Sequence, residues 1–546
     1  MEIANPVINR KELVTMDKRY VISVVLNAHT PFVRHLELPQ NSEERWFFES
    51  LSETYLPLLE VFDRLEWDRI PFRVGLCLSP TLCHMLRDEL LIQRYLEYTD
   101  KQIEFGLQEL DRTCDDEGFQ TLAKRFYDKA IDRRHSFTER HGKNILKAFD
   151  YYQRKGKLEL LATAATHGFL PFYIDNPEAI QAQFEVALSS YRSNFGKHPQ
   201  GFWLPELGWT QELERYLRAY NFGYTIVNTH GLILGNPAAL KGSFYPIKTP
   251  QGIFVFARDH YAYQDIADKE AGFGYHPVYR DNDADVGYEL SAETVKSFLD
   301  PAGRRTPTGY KYQTLGDWDC KKQTYDPHKA SEQIQKQVRS FLDRRIEGLH
   351  AAGKYMDEVP ISFCAYNANA FGRFWYEGPE FLETLFREGA KYEDLQFMTP
   401  AEYLYKQDLS TVQTMTPCFS SGGFNGYAQT WLDSSNDWIY RHTARSLERM
   451  TEIAERFPDE TGLKERVLNQ AAREILLGQA SDWTKMLYKQ ESEEYAREQI
   501  EENLRNFTTI YEALGSNYIS TEWLTTLERR HNIFPAINYR VFRRKR

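Results

Sequence analysis

The sequence is short of every feature that marks a membrane, secreted or nucleic-acid-binding chain. No stretch approaches the ~20 consecutive apolar residues that a membrane-spanning helix needs. Residues 1–20 hold no apolar run of leader length, so the chain is expected in the cytoplasm. Cysteine is scarce: the six lie at 77, 83, 114, 320, 364 and 418, with no Cys-x-x-Cys pair and no Cys/His metal spacing. That usage fits a reducing compartment. Positive charge is also short, with 67 Lys and Arg against 78 Asp and Glu and a net charge of -11. An acidic balance argues against nucleic acid as a partner. The one basic run, Phe542 to Arg546, reads as a frayed, solvated tail. There is no internal repeat, no low-complexity linker and no P-loop or Rossmann glycine motif. Neither a metal nor a cofactor is expected.

What is present is a long chain with ample core material. At 546 residues, 42% of them hydrophobic, two or three domains are expected. Aromatic residues reach 14%, which suits either stacking on sugar rings or a large core. Short apolar, β-branched runs read as buried parallel-type strands at Tyr20–Asn27, Arg73–Leu78, Leu158–Ala164, Gly201–Leu204, Tyr224–Asn228, Ile253–Ala257 and Ile361–Tyr366. Helical patterns separate most of them. Strand, helix, strand repeated about seven times predicts a parallel sheet with helices outside it. Over ~400 residues this is an α/β barrel sooner than an open sheet. Residues 85–155 show only helical periodicity and read as an insertion. After about Ser420 strands stop and stripes such as Leu447, Met450, Ile453 and Phe457 predict an all-helical C-terminal domain.

In such barrels chemistry collects where strands end at their C-terminal edge. Those ends carry Asn27 and His29, His167, Glu206, Asn228 and His230, Arg258 and Asp259, and Asn367, Asn369, Arg373 and Trp375. Each has a structural alternative. A histidine there is often a polar cap. Glu206, stiffened by Trp203, Leu204 and Pro205, is either an acceptor for backbone N–H groups or a nucleophile. Arg258–Asp259 reads as an ion pair fixing a loop, and Glu377 before Gly378–Pro379 as a turn or cap acceptor.

In order and spacing these pieces resemble glycoside hydrolase family 57, in the branch of 1,4-α-glucan branching enzymes and amylase-like proteins. The resemblance rests on Asn27-Ala28-His29-Thr30-Pro31, Gly156 to Pro171, the Trp-Leu-Pro-Glu run ending at Glu206, Phe244 to Asp259, Gln479 to Trp483 and His531 to Phe542. It implies an incomplete seven-stranded β/α barrel over 20–420, following an extension of 1–19, with a helical domain over 421–546. It implies α-glucan (glycogen, amylose or maltooligosaccharide) as the ligand, bound by residues including His29, His167, Trp203, His230, Arg258, Asp259, Trp375, Trp431, Trp438, Asp482 and Trp483. It also implies a retaining mechanism, in which Glu206 would attack the anomeric carbon and a carboxylic acid roughly 5–5.5 Å away would protonate the leaving oxygen.

Here the chain departs from the pattern it resembles. The acid position is Asn367, a neighbouring glutamate is Asn369 and a histidine is Arg373. The first histidine of the opening motif is Asn27, and the aspartate before Thr-His-Gly is Asn228. Acceptor-side tryptophans are replaced by Gly422 and Ile266. An amide keeps the shape of a carboxyl but cannot donate its proton, and general acid–base help is worth roughly 10²–10⁴ in rate. Three readings follow: a glucan binder with weak or no catalysis; a working enzyme with an acid relocated to Asp317, Asp319, Asp437 or Asp482; or a non-catalytic interaction protein that uses its helical domain.

Overall fold

The computed structural model describes residues 20–37, 42–316, 322–516 and 518–545. The extension at 1–19, Asp317, Asp319 and Cys320 lie outside them. Nine strands make one sheet: β1 (Tyr20–Ala28), β2 (Val74–Leu78), β3 (Leu158–Thr163), β4 (Gly201–Trp203), β5 (Tyr224–Val227), β6 (Ile247–Lys248), β7 (Phe254–Ala257), β8 (Ile361–Asn367) and β9 (Leu395–Phe397). Their order is β6-β7-β5-β4-β3-β2-β1-β8, with β9 added to β1. The seven expected strands are all present and mutually parallel.

The continuous apolar runs exist because both faces of the sheet are covered. In β1, Val21 and Val25 point into the barrel with Cys77, Leu161, Trp203, Phe256 and Phe363. Ile22, Val24 and Leu26 point outward under the helices. The sheet curls until its ends meet. Asp259 N donates to Phe363 O at 2.8 Å, and the Phe256 and Phe363 rings stack at 4.7 Å. The barrel is therefore incomplete: among the described residues no strand pairing joins β7 to β8.

Helices Glu89–Arg112, Glu117–His135 and Leu146–Arg154 form the insertion after β2. Asp88 and Asp116 cap the first two through backbone N–H groups. Beyond residue 420 come helices Trp438–Arg456, Leu463–Gly478, Ser481–Lys489, Glu493–Ser516 and Thr521–Arg530. None of the described helices is long and apolar enough to cross a membrane. The described cysteines are all free.

Three details differ from expectation. The two-residue β6 and three-residue β9 were not foreseen, being too short to carry a pattern. The basic tail is docked, not frayed: Phe542 is fully buried, Lys545 Nζ lies 2.5 Å from Glu185 and Arg544 Nε lies 3.6 Å from Glu178. Arg258 and Asp259 do not pair. Asp259 turns away to accept from Ala262 N at 2.9 Å and from Ser362 Oγ at 2.6 Å, with Arg345 at 3.7 Å. The residues alternate in direction at the strand end, which separates their side chains.

Candidate active site

Glu206 follows β4 in the left-handed region at φ 56° and ψ 22°, and Leu207 shares it at φ 53°. Two successive non-glycine residues there carry strain that only surrounding structure maintains, a pattern concentrated at functional sites. The supports are visible. Gly422 N donates to Glu206 O at 2.6 Å, and Trp209 N donates to Ser420 O at 2.8 Å. A loop over 420–428 thus laces the mouth together. Asn228 Nδ2 donates to Ser421 O at 2.9 Å, and His230 Nε2 donates to Gly426 O at 2.8 Å. His230 therefore pins this loop.

A second group comes from β1, β3 and the helix Ser481–Lys489. His29 and His167 stack at 4.0 Å between ring centres, 10° from parallel. His29 Nε2 lies 2.8 Å from Asp482 Oδ2, and its Nδ1 lies 2.9 Å from Ser79 Oγ. His167, also left-handed at φ 56°, receives Asn27 Nδ2 at 3.2 Å. Burial, then the proximity of His29 and Lys485, pushes the His167 pKa well below the usual histidine value, so the ring is neutral. Asn27 Oδ1 is buried without a protein partner.

Lys485 joins the two groups, and sequence reasoning missed it. Its ammonium is 3.5 Å from Glu206 Oε1. The Glu206 carboxylate, with Asp482 also contributing, raises the Lys485 pKa above the ordinary lysine value. The available signal was spacing: Lys485 lies three residues after Asp482, hence on the same helical face. Arg258 completes the rim. Its Nη2 donates to Asn228 Oδ1 at 3.0 Å, and its guanidinium lies 3.5 Å from the centre of the Tyr263 ring.

Asn367 ends β8 directly beside Asn27 in the β1 register. It is exposed, and its Oδ1 accepts from Asn369 N at 2.9 Å. The loop after it is tightly held. Gly372 sits at φ +144°, and a Cβ there would approach Glu53 O to 2.0 Å. Gly372→Ala is expected to cost about 1–3 kcal/mol, read from the urea midpoint; an unchanged midpoint would show the loop relaxing freely.

The description "Glycosyl hydrolase family 57" matches residues 23–416. The chain is a member of glycosyl hydrolase family 57. A second match, "1,4-alpha-glucan branching enzyme, C-terminal", covers residues 442–542 of this family-57 chain. A 1,4-alpha-glucan branching enzyme of Thermococcus kodakarensis is 26% identical, over 94% of this chain and 77% of its own length. The crystal structure of an alpha-amylase from Thermotoga maritima superposes with a TM-score of 0.90 at 34% identity, covering 97% of this chain and 100% of the other. A family-57 branching enzyme from Pyrococcus horikoshii gives 0.86 at 25% identity, covering 97% and 98%.

Against the family-57 motifs, the other singled-out residues scatter. Arg373 leaves the mouth, its Nε donating to Glu49 at 3.1 Å. Asn369 is buried beside Tyr55. Trp431 is 0% exposed and stacks on Phe169, and Trp483 is 2% exposed with Nε1 donating to Leu477 O. Trp375 packs against Tyr279 at 5.5 Å, and Trp438 donates to Ser435 O. Trp375, Trp431 and Trp483 are buried in walls, and Trp438 is half-buried. Trp203 lines the barrel interior, its Nε1 buried without a protein partner. Glu377 accepts from Arg280 N at 3.1 Å, as a structural acceptor. Of the proposed replacement acids, Asp437 is exposed at the start of its helix, and Asp482 lies in the mouth.

Proposed function

We propose that this family-57 protein binds α-glucan at the barrel mouth and performs little or no bond cleavage or transfer. One observation carries the reading. The strand-end position where the family resemblance places the acid presents an exposed amide, Asn367, and the charge beside Glu206 is the Lys485 ammonium. Retaining chemistry needs a proton at the leaving oxygen and later a base to activate the acceptor. An amide supplies neither, and an ammonium paired with the nucleophile gives up its proton poorly. The mouth still offers polar groups to the hydroxyls of a glucan, among them the exposed Asn367 amide, His29 and Asp482. The names of the relatives above point to the same ligand class.

A second reading has a specific observation behind it. Asp482 is a carboxylate within the mouth, joined to His29 and sharing Lys485 with Glu206. If it supplied the acid, the protein would be an active branching enzyme, transferase or hydrolase. Amylose incubation separates the readings. The starting protein is expected to co-sediment with glycogen and to release no new branch points or reducing ends. Release that disappears in both Glu206→Gln and Asp482→Asn would establish the second reading instead.

A further inference from the structure

Arg258 is a buried cation with no anion. It is 8% exposed at the end of β7. Its hydrogen-bond partner is the neutral amide of Asn228, its face lies on Tyr263, and its Nε is buried without a partner. No carboxylate among the described residues forms an ion pair with it. Even Asp259, next in sequence, is turned to Ala262, Ser362 and Arg345. Its pKa is lowered by burial, but a guanidinium stays charged at any physiological pH. An ion taken out of water loses its hydration, and a counter-ion is what ordinarily offsets that loss. The other charged groups of this mouth have described contacts: Lys485 lies 3.5 Å from Glu206, and Asp482 lies 2.8 Å from His29. Arg258 belongs to the same mouth. Its backbone N donates to Val227 O beside Asn228, and Asn228, which accepts from Arg258, itself donates to Ser421 O of the mouth loop.

We infer that the mouth takes sugars bearing a negative group, phosphate or carboxylate, which pairs with the Arg258 guanidinium. This rests on the carbohydrate reading above and names the class of sugar. A planar guanidinium matches either oxyanion, and the Arg258 Nε–H has no partner of its own. No covalent step is involved.

The test is a calorimetric titration of the full chain at low salt with glucose, glucose 1-phosphate, glucuronate and inorganic phosphate. Glucose 1-phosphate or glucuronate is expected to bind at least about tenfold tighter than glucose, the usual gain from one charge-assisted pair. The ratio should collapse toward one in Arg258→Gln. It should also collapse in Asn228→Asp, which keeps the side-chain shape, gives Arg258 an internal counter-ion and guards against a folding defect in the first variant. Equal binding of charged and neutral sugars by the starting protein, or a preference that survives both substitutions, overturns the inference. Glycogen binding without a charge preference sinks this inference alone. A charge preference without glycogen binding sinks only the α-glucan reading and leaves the anion site standing.

Discussion

Asn367→Asp is expected to raise the rate of branch-point or reducing-end formation from amylose by about 10²–10⁴-fold, the range that a positioned general acid supplies. The substitution changes one atom of a side chain whose backbone is fixed by seven register pairs between β1 and β8. The remaining oxygen can keep accepting from Asn369 N. What changes is chemical: the exposed end of β8 now carries a group that can give a proton to a departing sugar oxygen and take one from the acceptor. The gain should vanish in a double variant with Glu206→Gln, because the acid without the nucleophile restores only half of a retaining cycle. A single variant that binds glycogen yet stays as inert as its parent would show that the lesion lies elsewhere. The Lys485–Glu206 contact would then be the first suspect.

Glu474→Gln is expected to cost about 3–5 kcal/mol, the usual penalty for leaving one member of a buried ion pair without its partner. Glu474 is 0% exposed and gathers donors from three segments. His531 Nδ1 lies at 2.8 Å, Gln470 Nε2 at 2.8 Å and Asn506 Nδ2 at 3.1 Å. Burial pushes the His531 pKa down, but the Glu474 carboxylate more than reverses this and holds it above the ordinary histidine value of 6.5. The histidine's contribution to stability is therefore complete below that ordinary value and is lost as pH rises through the raised folded-state value. Urea midpoints across this window should fall with rising pH in the starting protein and flatten in the variant. A parallel pair of curves would refute the assignment.

Much of the fold was legible because parallel strands buried on both faces leave unbroken apolar runs. Tyr20–Asn27 and Ile361–Tyr366 are examples. β6 and β9 left no such trace, since two or three residues beside a lysine or a glutamine have no periodicity to read. The residues of the site were legible in part because strand ends are defined by the strands, which brought Asn27, His29, His167, Glu206 and Asn367 to one edge. Lys485 was not legible, because a lysine on an amphipathic helix ordinarily faces solvent, and nothing local says that the helix Ser481–Lys489 enters the mouth. The burial of the tryptophans was not legible for the opposite reason. An indole serves equally as a sugar platform and as core, and only burial tells Trp431 and Trp483 from a binding surface. The adjacency of Arg258 and Asp259 suggested an ion pair, but consecutive side chains at a strand end point opposite ways.

The helix that supplies Asp482 and Lys485 is read by the ribosome some 450 residues after His29, its first partner across the mouth. A truncated polypeptide, however well its sheet had curled, would present an unfinished cup. Closure of the mouth is therefore a late event in synthesis, because Asp482 and Lys485 are added only after every strand of the sheet has been made.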